Sequence, residues 1–233
     1  MQLDGQTALV TGANRGLGRH LAQQLRDRGA TVYAGARNPA AVDLDGVTPI
    51  AINITDPASV AEAAHSIGNA SIVINNAGGS TGTSLLTGEL DDARLDMDTN
   101  FYGTLWVIRA FAPQLSQHDQ SAVLNVLSVL SWYTSPANGA YCAAKSAAWS
   151  MTNALRQELA GQGTRVAALH VGYMDTDMAR NIVGAPKVDP ADIARIALDG
   201  IADDAYEIIA DDRSKQVLAS LSAGVGALYP QFA

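Results

Sequence analysis

Hydrophobic positions along the chain alternate between short β-branched runs and longer stretches with helical periodicity. The run TALVT, Thr7–Thr11, predicts a β-strand. Leu17, Leu21 and Leu25 then recur every four residues, which places them on one face of a helix, and Gly29 is predicted to end that helix. The first unit is therefore a strand, a turn and an amphipathic helix.

Six further runs predict strands, and the stretches between them predict helices. Asp56 before Pro57 and Asp189 before Pro190 each combine a capping side chain with a proline suited to the first helical turn. Strands that alternate with crossover helices form parallel sheets. With no repeat or interdomain linker, we expect an α/β fold in one domain, residues 1–233, built on a Rossmann-like doubly wound parallel sheet of about seven strands. The six further runs are TVYAGA from Thr31, VTPIAIN from Val47, SIVIN from Ser71, AVLNVLS from Ala122, RVAALHV from Arg165 and YEIIA from Tyr206.

Composition and charge narrow the classes of function. With 48% hydrophobic and 16% charged residues, the chain is typical of a globular protein rather than a disordered or membrane-bound one. A net charge of -8 with scattered cations argues against nucleic acid as a partner. The single cysteine, Cys142, forms no internal disulfide, and the amino terminus MQLDGQTALV does not resemble a secretion signal. We therefore expect a cytoplasmic protein without membrane contact.

A glycine-rich turn, residues 11–18, separates the first predicted strand from its helix. Gly12, Gly16 and Gly18 allow backbone angles and close approaches that a side chain would block. A pyrophosphate can then rest against the N–H groups at the start of the helix. An ordinary glycine-rich turn is the alternative, but the position between strand and amphipathic helix favours dinucleotide binding.

The end of the second predicted strand indicates which dinucleotide binds. An Asp or Glu there would bind a free ribose 2'-hydroxyl, whereas an Arg would accept a 2'-phosphate. The segment has no acid, and Arg37 stands at its end. Arg15, within the glycine turn, could converge on the same phosphate. Either arginine could instead be a surface residue, but the pattern favours NADP(H) over NAD.

A phenol and an ammonium group lie four residues apart in Tyr141-Cys142-Ala143-Ala144-Lys145, and hence on one helix face. A cation beside a tyrosine favours the phenolate, so Lys145 and a positive nicotinamide ring could together lower the pKa of Tyr141. Ser128 ends the predicted strand AVLNVLS and could direct its hydroxyl to the same substrate carbonyl. Ser131 and Tyr133 are the competing hydroxyl and phenol.

These motifs resemble those of the short-chain dehydrogenase/reductase family, and the likeness covers residues 3–178. The family's T-G-x-x-x-G-x-G turn matches residues 11–18, its N-N-A-G motif matches residues 75–78, and its Y-x-x-x-K motif matches Tyr141 and Lys145. The family's catalytic serine falls on Ser128, and the asparagine that completes its tetrad falls on Asn100. The resemblance implies an NADP-binding domain and an oxidoreductase that interconverts a ketone and a secondary alcohol.

The resemblance also implies a role for each site residue. Tyr141 would be the general acid in reduction and the base in oxidation, Ser128 would orient the substrate oxygen, and Lys145 would bind the ribose hydroxyls. Asn100 would hold a water that relays protons from Lys145. Cofactor contacts are implied, with no metal, at Gly12, Asn14, Arg15, Gly16, Leu17, Gly18, Arg37, Asn53, Ile54, Asn76, Ala77, Gly78, Tyr141, Lys145, Met174 and Thr176.

Three segments depart from the family pattern. Asn53 replaces the usual Asp before the third helix, which should keep a hydrogen bond, and His170-Val171-Gly172 replaces Asn-Pro-Gly after the sixth strand. We interpret His170 as a strand-end residue rather than an acid catalyst. The segment after Tyr206 lacks the common glycine-rich ending, on which tetramer contacts depend.

Substrate and assembly are less sharply indicated. Residues 177–188 are a predicted lid that carries Met178, Ile182 and Val183, and with Trp132 and Tyr133 they favour an apolar carbonyl compound, although these side chains could equally be core. Helices predicted from about 100 to 117 and 139 to 160 have apolar residues on several faces. The resemblance implies that they form a homodimer, with a tetramer left open.

Two alternative functions remain for the whole chain. One is a noncatalytic NADP-binding sensor or scaffold, and the other is an NAD-dependent enzyme.

Overall fold

All seven predicted runs form strands. The computed structural model describes residues 1–233, and its strands are β1 (Thr7–Thr11), β2 (Thr31–Ala36), β3 (Thr48–Ala51), β4 (Ile72–Asn75), β5 (Ser121–Val126), β6 (Thr164–His170) and β7 (Glu207–Ile209). They make one sheet in the order β3-β2-β1-β4-β5-β6-β7, and every neighbouring pair is parallel. This is the Rossmann-like doubly wound arrangement that the sequence predicts.

Helices cover both faces of the sheet. They are α1 (Gly16–Asp27), α2 (Pro57–Ile67), α3 (Leu90–Met97), α4 (Gly103–Leu115), α5 (Gly139–Glu158), α6 (Pro190–Ala202), α7 (Asp212–Ser220) and α8 (Val225–Leu228). None of them combines the length and apolar composition that a membrane span requires.

The hydrophobic core has one layer on each side of the sheet. Successive strand residues point to opposite faces, so Val10 packs with α1 and α6 whereas Leu9 packs with α2, α4 and α5. Leu21 of α1 and Phe111 of α4 are fully buried in the two layers. Burial on both faces explains why these strands are continuous apolar runs rather than alternating ones.

The strand order reverses between β1 and β4. From β1 the chain moves outward to β2 and β3, and it returns to the other side of β1 at β4. Ligands of such sheets bind at the carboxyl edge beside this switch point. The turn after β1, residues 11–18, and the segment after β4, residues 75–78, meet there.

Aspartate side chains cap three helices. Asp56 accepts a hydrogen bond from Ala58 N at 3.0 Å, and Asp189 accepts one from Ala191 N at 2.8 Å, which confirms both predicted helix starts. The buried Asp211 caps α7 through Ser214 N at 2.8 Å and also accepts from Gly172 N at 2.6 Å. It thereby fixes the segment that follows β6 to the C-terminal helices.

Two predicted boundaries are wrong, and both lie near the candidate site. β5 ends at Val126 rather than at Ser128, because the Ser128 hydroxyl accepts from Leu130 N at 3.1 Å and starts a 3-10 turn. The helix predicted from about residue 100 begins at Leu90 and passes through a π-helical turn, Asp98–Tyr102, into α4.

Candidate active site

The glycine turn after β1 is too tight for side chains at two of its positions. Gly12 has a φ of 66°, in the left-handed region that favours glycine. A Cβ at Gly18 would lie 2.2 Å from Gly12 O and 2.4 Å from Asn76 Nδ2. The backbone of α1 therefore approaches β1 and β4 more closely than any other residue type would permit.

Hydrogen bonds from the segment after β4 hold this turn in place. Thr11 Oγ1 accepts from Asn76 N and from Ala77 N, each at 3.0 Å. Asn76 Nδ2 donates to Thr11 O at 2.9 Å and to Gly12 O at 3.2 Å. The side-chain nitrogen of Asn76 is thus already bonded to the turn. If Asn76 contacts the ribose as predicted, its side-chain Oδ1 would make that contact.

The residues around the amino terminus of α1 fit the pyrophosphate of a dinucleotide. Unlike α2, α6 and α7, this helix has no side-chain cap, and unlike α6 and α7 it has no acidic residue in its first turn. Its first N–H groups are therefore left for an anion, and the helix dipole favours negative charge there. A Cβ at Gly16 would lie 3.4 Å from Thr176 Cγ2, so the segment after β6 closes one side of this space.

The two arginines expected to converge on a 2'-phosphate have different surroundings in the structure. Arg15 Nη1 lies 3.2 Å from Asp177 Oδ2, and both side chains are about half exposed or more. Asp177 also pairs with Arg180, and these two arginines lower the pKa of its carboxyl. Arg37 is exposed at the end of β2 and has no acidic partner.

The remaining predicted cofactor residues line the same edge of the sheet. Asn53 Oδ1 accepts from Thr55 N at 3.3 Å and from Thr55 Oγ1 at 2.9 Å, so Asn53 keeps a local hydrogen-bonding role. Ile54 is buried against Gly103 at the start of α4. Met174 forms a short parallel bridge to Val188, which closes the predicted lid at its base.

Tyr141 and Lys145 lie one turn apart at the start of α5, and Ser128 faces them from the start of the 3-10 turn that follows β5. The Ser128 side chain lies close enough to the Tyr141 phenol to lower its pKa. Lys145 Nζ lies 5.7 Å from the centroid of the Tyr141 ring and donates to Val126 O at 2.8 Å. The structure therefore brings the three predicted catalytic side chains together.

Burial changes the pKa of both ionisable groups. Burial raises the pKa of Tyr141, the Ser128 side chain opposes that rise, and Cys142 and Asp96 add to it. Burial lowers the pKa of Lys145 to about 8. In the chain alone, burial raises the pKa of Tyr141, and Lys145 is not among the groups that shift it. The expectation that Lys145 and a bound nicotinamide together lower this pKa stays a prediction.

Asn100 lies in the π-helical turn between α3 and α4 and faces Lys145 across Gly78. Its Nδ2 donates to Gly79 O at 2.8 Å and to Asp96 O at 2.9 Å, whereas its buried Oδ1 has no partner. A Cβ at Gly78 would lie 2.9 Å from Asn100 Oδ1 and 3.7 Å from Lys145 Nζ. This space fits a small hydrogen-bond donor such as water.

The competing residues have other structural roles. Ser131 Oγ accepts from Ser128 N at 3.4 Å, and the carbonyl of Ser131 accepts from Ser146 Oγ at 2.8 Å. The ring of Tyr133 stacks on Tyr229 with centroids 5.2 Å apart. Neither residue contacts the phenol of Tyr141 by any hydrogen bond in the structure.

His170 is fully buried at the end of β6, consistent with its interpretation as a strand-end residue. Its Nε2 lies 2.9 Å from Glu207 Oε2, and its Nδ1 lies 3.4 Å from Ser128 O. The ring stacks on Trp132 with centroids 3.7 Å apart. Trp132 therefore covers the imidazole, and the exposed apolar residues of the lid segment are Met178 and Val183.

Asp96 is a buried carboxylate near this site that the sequence patterns did not single out. It lies on α3, whose mixed and partly exposed sequence LDDARLDM gives no clear apolar periodicity. Its carboxylate accepts two hydrogen bonds from Thr81, in the segment after β4. Only its position four residues before Asn100 could have drawn attention to it.

Comparison with known proteins gives one consistent family. The family model described as short chain dehydrogenase matches residues 6–186. The chain is 32% identical over 229 residues to 1-deoxy-11-beta-hydroxypentalenate dehydrogenase of Streptomyces avermitilis, covering 91% of this chain and 84% of the relative.

Two solved structures show the same fold. A short chain dehydrogenase from Burkholderia cenocepacia J2315 in complex with NADP superposes with a TM-score of 0.94 at 36% identity, covering 99% of this chain and 98% of the other. A short chain dehydrogenase/reductase from Burkholderia phymatum in complex with NAD gives a TM-score of 0.84 at 22% identity, covering 95% and 93%.

Gly18→Ala should abolish or strongly weaken dinucleotide binding, since its Cβ would collide with Gly12 O. We expect at least about a tenfold loss of affinity for NADPH, measured by fluorescence titration. The new Cβ would collide with a backbone atom, so the backbone of the turn itself would have to move. Gly161→Ala is the matched control, since a Cβ there meets nothing within 4 Å. Equal affinities of the two variants would mean that the turn does not bind the dinucleotide.

Proposed function

The chain belongs to the short-chain dehydrogenase family of oxidoreductases, and on this basis we propose that it interconverts a ketone and a secondary alcohol with NADP(H). The observation that carries the proposal is the convergence of Tyr141, Ser128 and Lys145 beside the glycine turn. A phenol, a hydroxyl and an amine around one point can bind and protonate a carbonyl oxygen.

Tyr141 and Ser128 act on the substrate oxygen. Both hydroxyls hydrogen-bond to the carbonyl oxygen, and in reduction Tyr141 transfers its proton to that oxygen as the carbonyl carbon gains a hydride. The nicotinamide, when bound, supplies that hydride and accepts it in the reverse direction. In oxidation, Tyr141 takes the proton back from the alcohol. The raised pKa of Tyr141 favours the protonated form, which suits proton donation.

Lys145 and Asn100 return a proton to Tyr141 after it has protonated the substrate oxygen. With a pKa of about 8, Lys145 can both give and accept a proton near neutral pH. One of its hydrogen bonds goes to Val126 O, which leaves the others for the ribose hydroxyls and for a water. The unpartnered Oδ1 of Asn100 would hold that water beside Gly78.

The cofactor would lie along the carboxyl edge of the sheet. The glycine turn, including Asn14 and Leu17, would hold the pyrophosphate, Asn53 and Ile54 would contact the adenine, and Asn76 to Gly78 would line the ribose. Met174 and Thr176 would contact the carboxamide end. The uncapped amino terminus of α1 and the close glycine packing support this placement.

Arg37 is the residue that we propose to select NADP(H). It is exposed, has no acidic partner and ends a strand that carries no acid of its own. Arg15 would contribute only after it exchanges Asp177 for the phosphate, which makes it the weaker contact. The NADP complex of the Burkholderia cenocepacia relative supports the preference.

The substrate that fits best is an apolar carbonyl compound. Tyr173, Met178 and Val183 are exposed apolar side chains on the segment that follows β6. Of the two cations on this segment, Arg180 is paired with Asp177, and Lys187 has no carboxylate partner. An apolar substrate would bury the exposed apolar side chains.

We also propose a homodimer through the helices that precede the site. Leu95, Tyr102 and Trp106 are exposed on α3, the π-helical turn and α4, and Tyr102 lines an open depression of about 340 Å³ together with Leu90 and Met97. Exposed apolar side chains that gather on one face mark protein contacts.

Tyr141→Phe should lower turnover by about 10²- to 10⁴-fold and leave NADPH affinity nearly unchanged, because it removes the transferable proton. Ser128→Ala should lower turnover about 10²-fold, since it removes one donor to the substrate oxygen. Ser131→Ala, the matched control, should stay close to wild type. Steady-state rates with one ketone test this, and a ranking in which Ser131→Ala is the slower serine variant would contradict the assignment.

Arg37 replaced by a neutral residue together with Ala36→Asp should invert the cofactor preference. The arginine contributes about 1.5 to 3 kcal/mol to a 2'-phosphate, or roughly ten- to more than hundredfold in affinity, and the new carboxylate repels the phosphate. Titration of NADPH and NADH into both proteins measures the ratio, with Arg94→Ala as an exposed-arginine control. An unchanged ratio would make Arg37 a surface residue without a cofactor role.

A further inference from the structure

Asp96 is an ionisable group that the proposed mechanism leaves unused. Its side chain is 1% exposed, and its two oxygens accept from Thr81 N at 3.0 Å and from Thr81 Oγ1 at 2.9 Å. Two donors on two oxygens are the arrangement that an ionised carboxylate requires. Burying a charge is unfavourable unless it is hydrogen-bonded, and the two Thr81 contacts meet that requirement for Asp96. We therefore ask what these contacts do for the site.

The contacts of Asp96 fix the loop of residues 79–84 over the start of α5. Thr81 is the middle of this loop, and Thr83 O accepts from Ala140 N at 3.2 Å, one residue before Tyr141. At its other end, Gly79 O accepts from Asn100 Nδ2. Asp96 therefore holds a loop that touches the helical turn of Tyr141 and the side chain of Asn100.

The charge of Asp96 also acts on α5 directly. It raises the pKa of Tyr141, where burial is the larger cause, and it raises the pKa of Cys142. Burial raises the pKa of Asp96 itself, the two Thr81 hydrogen bonds oppose that rise, and Asp92 on the same helix adds to it.

The other groups that face Tyr141 are few. Tyr173, after β6, raises the pKa of Tyr141, whereas the Ser128 side chain lowers it. Lys145 Nζ is 5.7 Å from the ring centroid. Asp96 is thus the only carboxylate among the groups that shift the acidity of this phenol.

We propose that Asp96 is a positioning residue for the reaction: its buried carboxylate holds loop 79–84 on the first turn of α5, and its negative charge adds to the effect of burial in favouring the protonated phenol form of Tyr141. This inference rests on the proposed role of Tyr141 as proton donor. Its consequence is that reduction retains its acid to higher pH, and that oxidation needs higher pH to generate the phenolate base.

Asp96→Asn removes the charge and preserves the shape of the side chain. With NADP⁺ and a secondary alcohol, we expect the rise of kcat/KM with pH to move to lower pH by roughly half a unit, because two charges in a protein interior interact over this range. Asp92→Asn, on the same helix and bonded to Thr83 Oγ1 of the same loop, should leave the profile in place. An unmoved Asp96→Asn profile, or equal shifts in both variants, would overturn the proposal.

A second measurement needs no turnover, so it separates failure of this inference from failure of the proposed function. In protein labelled with ¹³C at the tyrosine Cζ, the Tyr141 resonance is assigned by its loss in Tyr141→Phe. We expect it to shift in a step as Asp96 is protonated at acid pH, and the step should vanish in Asp96→Asn and persist in Asp92→Asn. A wild-type Tyr141 resonance without that step would overturn the coupling whether or not any alcohol is oxidised.

Discussion

The hydrogen bonds that Thr11 Oγ1 accepts from Asn76 N and Ala77 N join the ends of β1 and β4, and the rest of the site depends on this junction. On one side it fixes the glycine turn, so that the uncapped start of α1 faces the crevice. On the other side it fixes Gly78, which separates Asn100 from Lys145. The sheet reverses at the same junction, so the open crevice and the reactive groups coincide.

Burial shifts the pKa values of the proposed catalytic pair, Tyr141 and Lys145, in opposite directions, and both shifts favour the neutral form. It raises the pKa of the phenol and lowers the pKa of the amine, so both Tyr141 and Lys145 are driven towards their neutral forms. A neutral phenol is a competent proton donor, and an amine with a pKa near 8 can replace the proton. The buried Asp96 reinforces the first of these effects, because an additional negative charge beside the ring disfavours the phenolate.

Much of this arrangement could be predicted from the sequence. Thr7–Thr11 and Thr31–Ala36 have the predicted bounds because strands buried on both faces are continuous apolar runs, which stand out without tertiary information. The sequence did not predict helix α3, because a largely exposed helix has no apolar stripe. Asp96, which lies on that helix, was therefore not predicted either. The Arg15 to Asp177 pair joins residues 162 positions apart, and the raised pKa of Tyr141 comes from burial; neither is visible in a local motif.

Transfer of an isotopically labelled hydride tests the central claim most directly. NADPH carrying deuterium at the transferable position of its nicotinamide would be incubated with the protein and a series of apolar ketones, and the products analysed by mass spectrometry. The account predicts a secondary alcohol with one deuterium on the former carbonyl carbon, formed in step with NADPH consumption. Tight binding of NADPH with no deuterated alcohol from any ketone would contradict it and would favour a noncatalytic NADP-binding role.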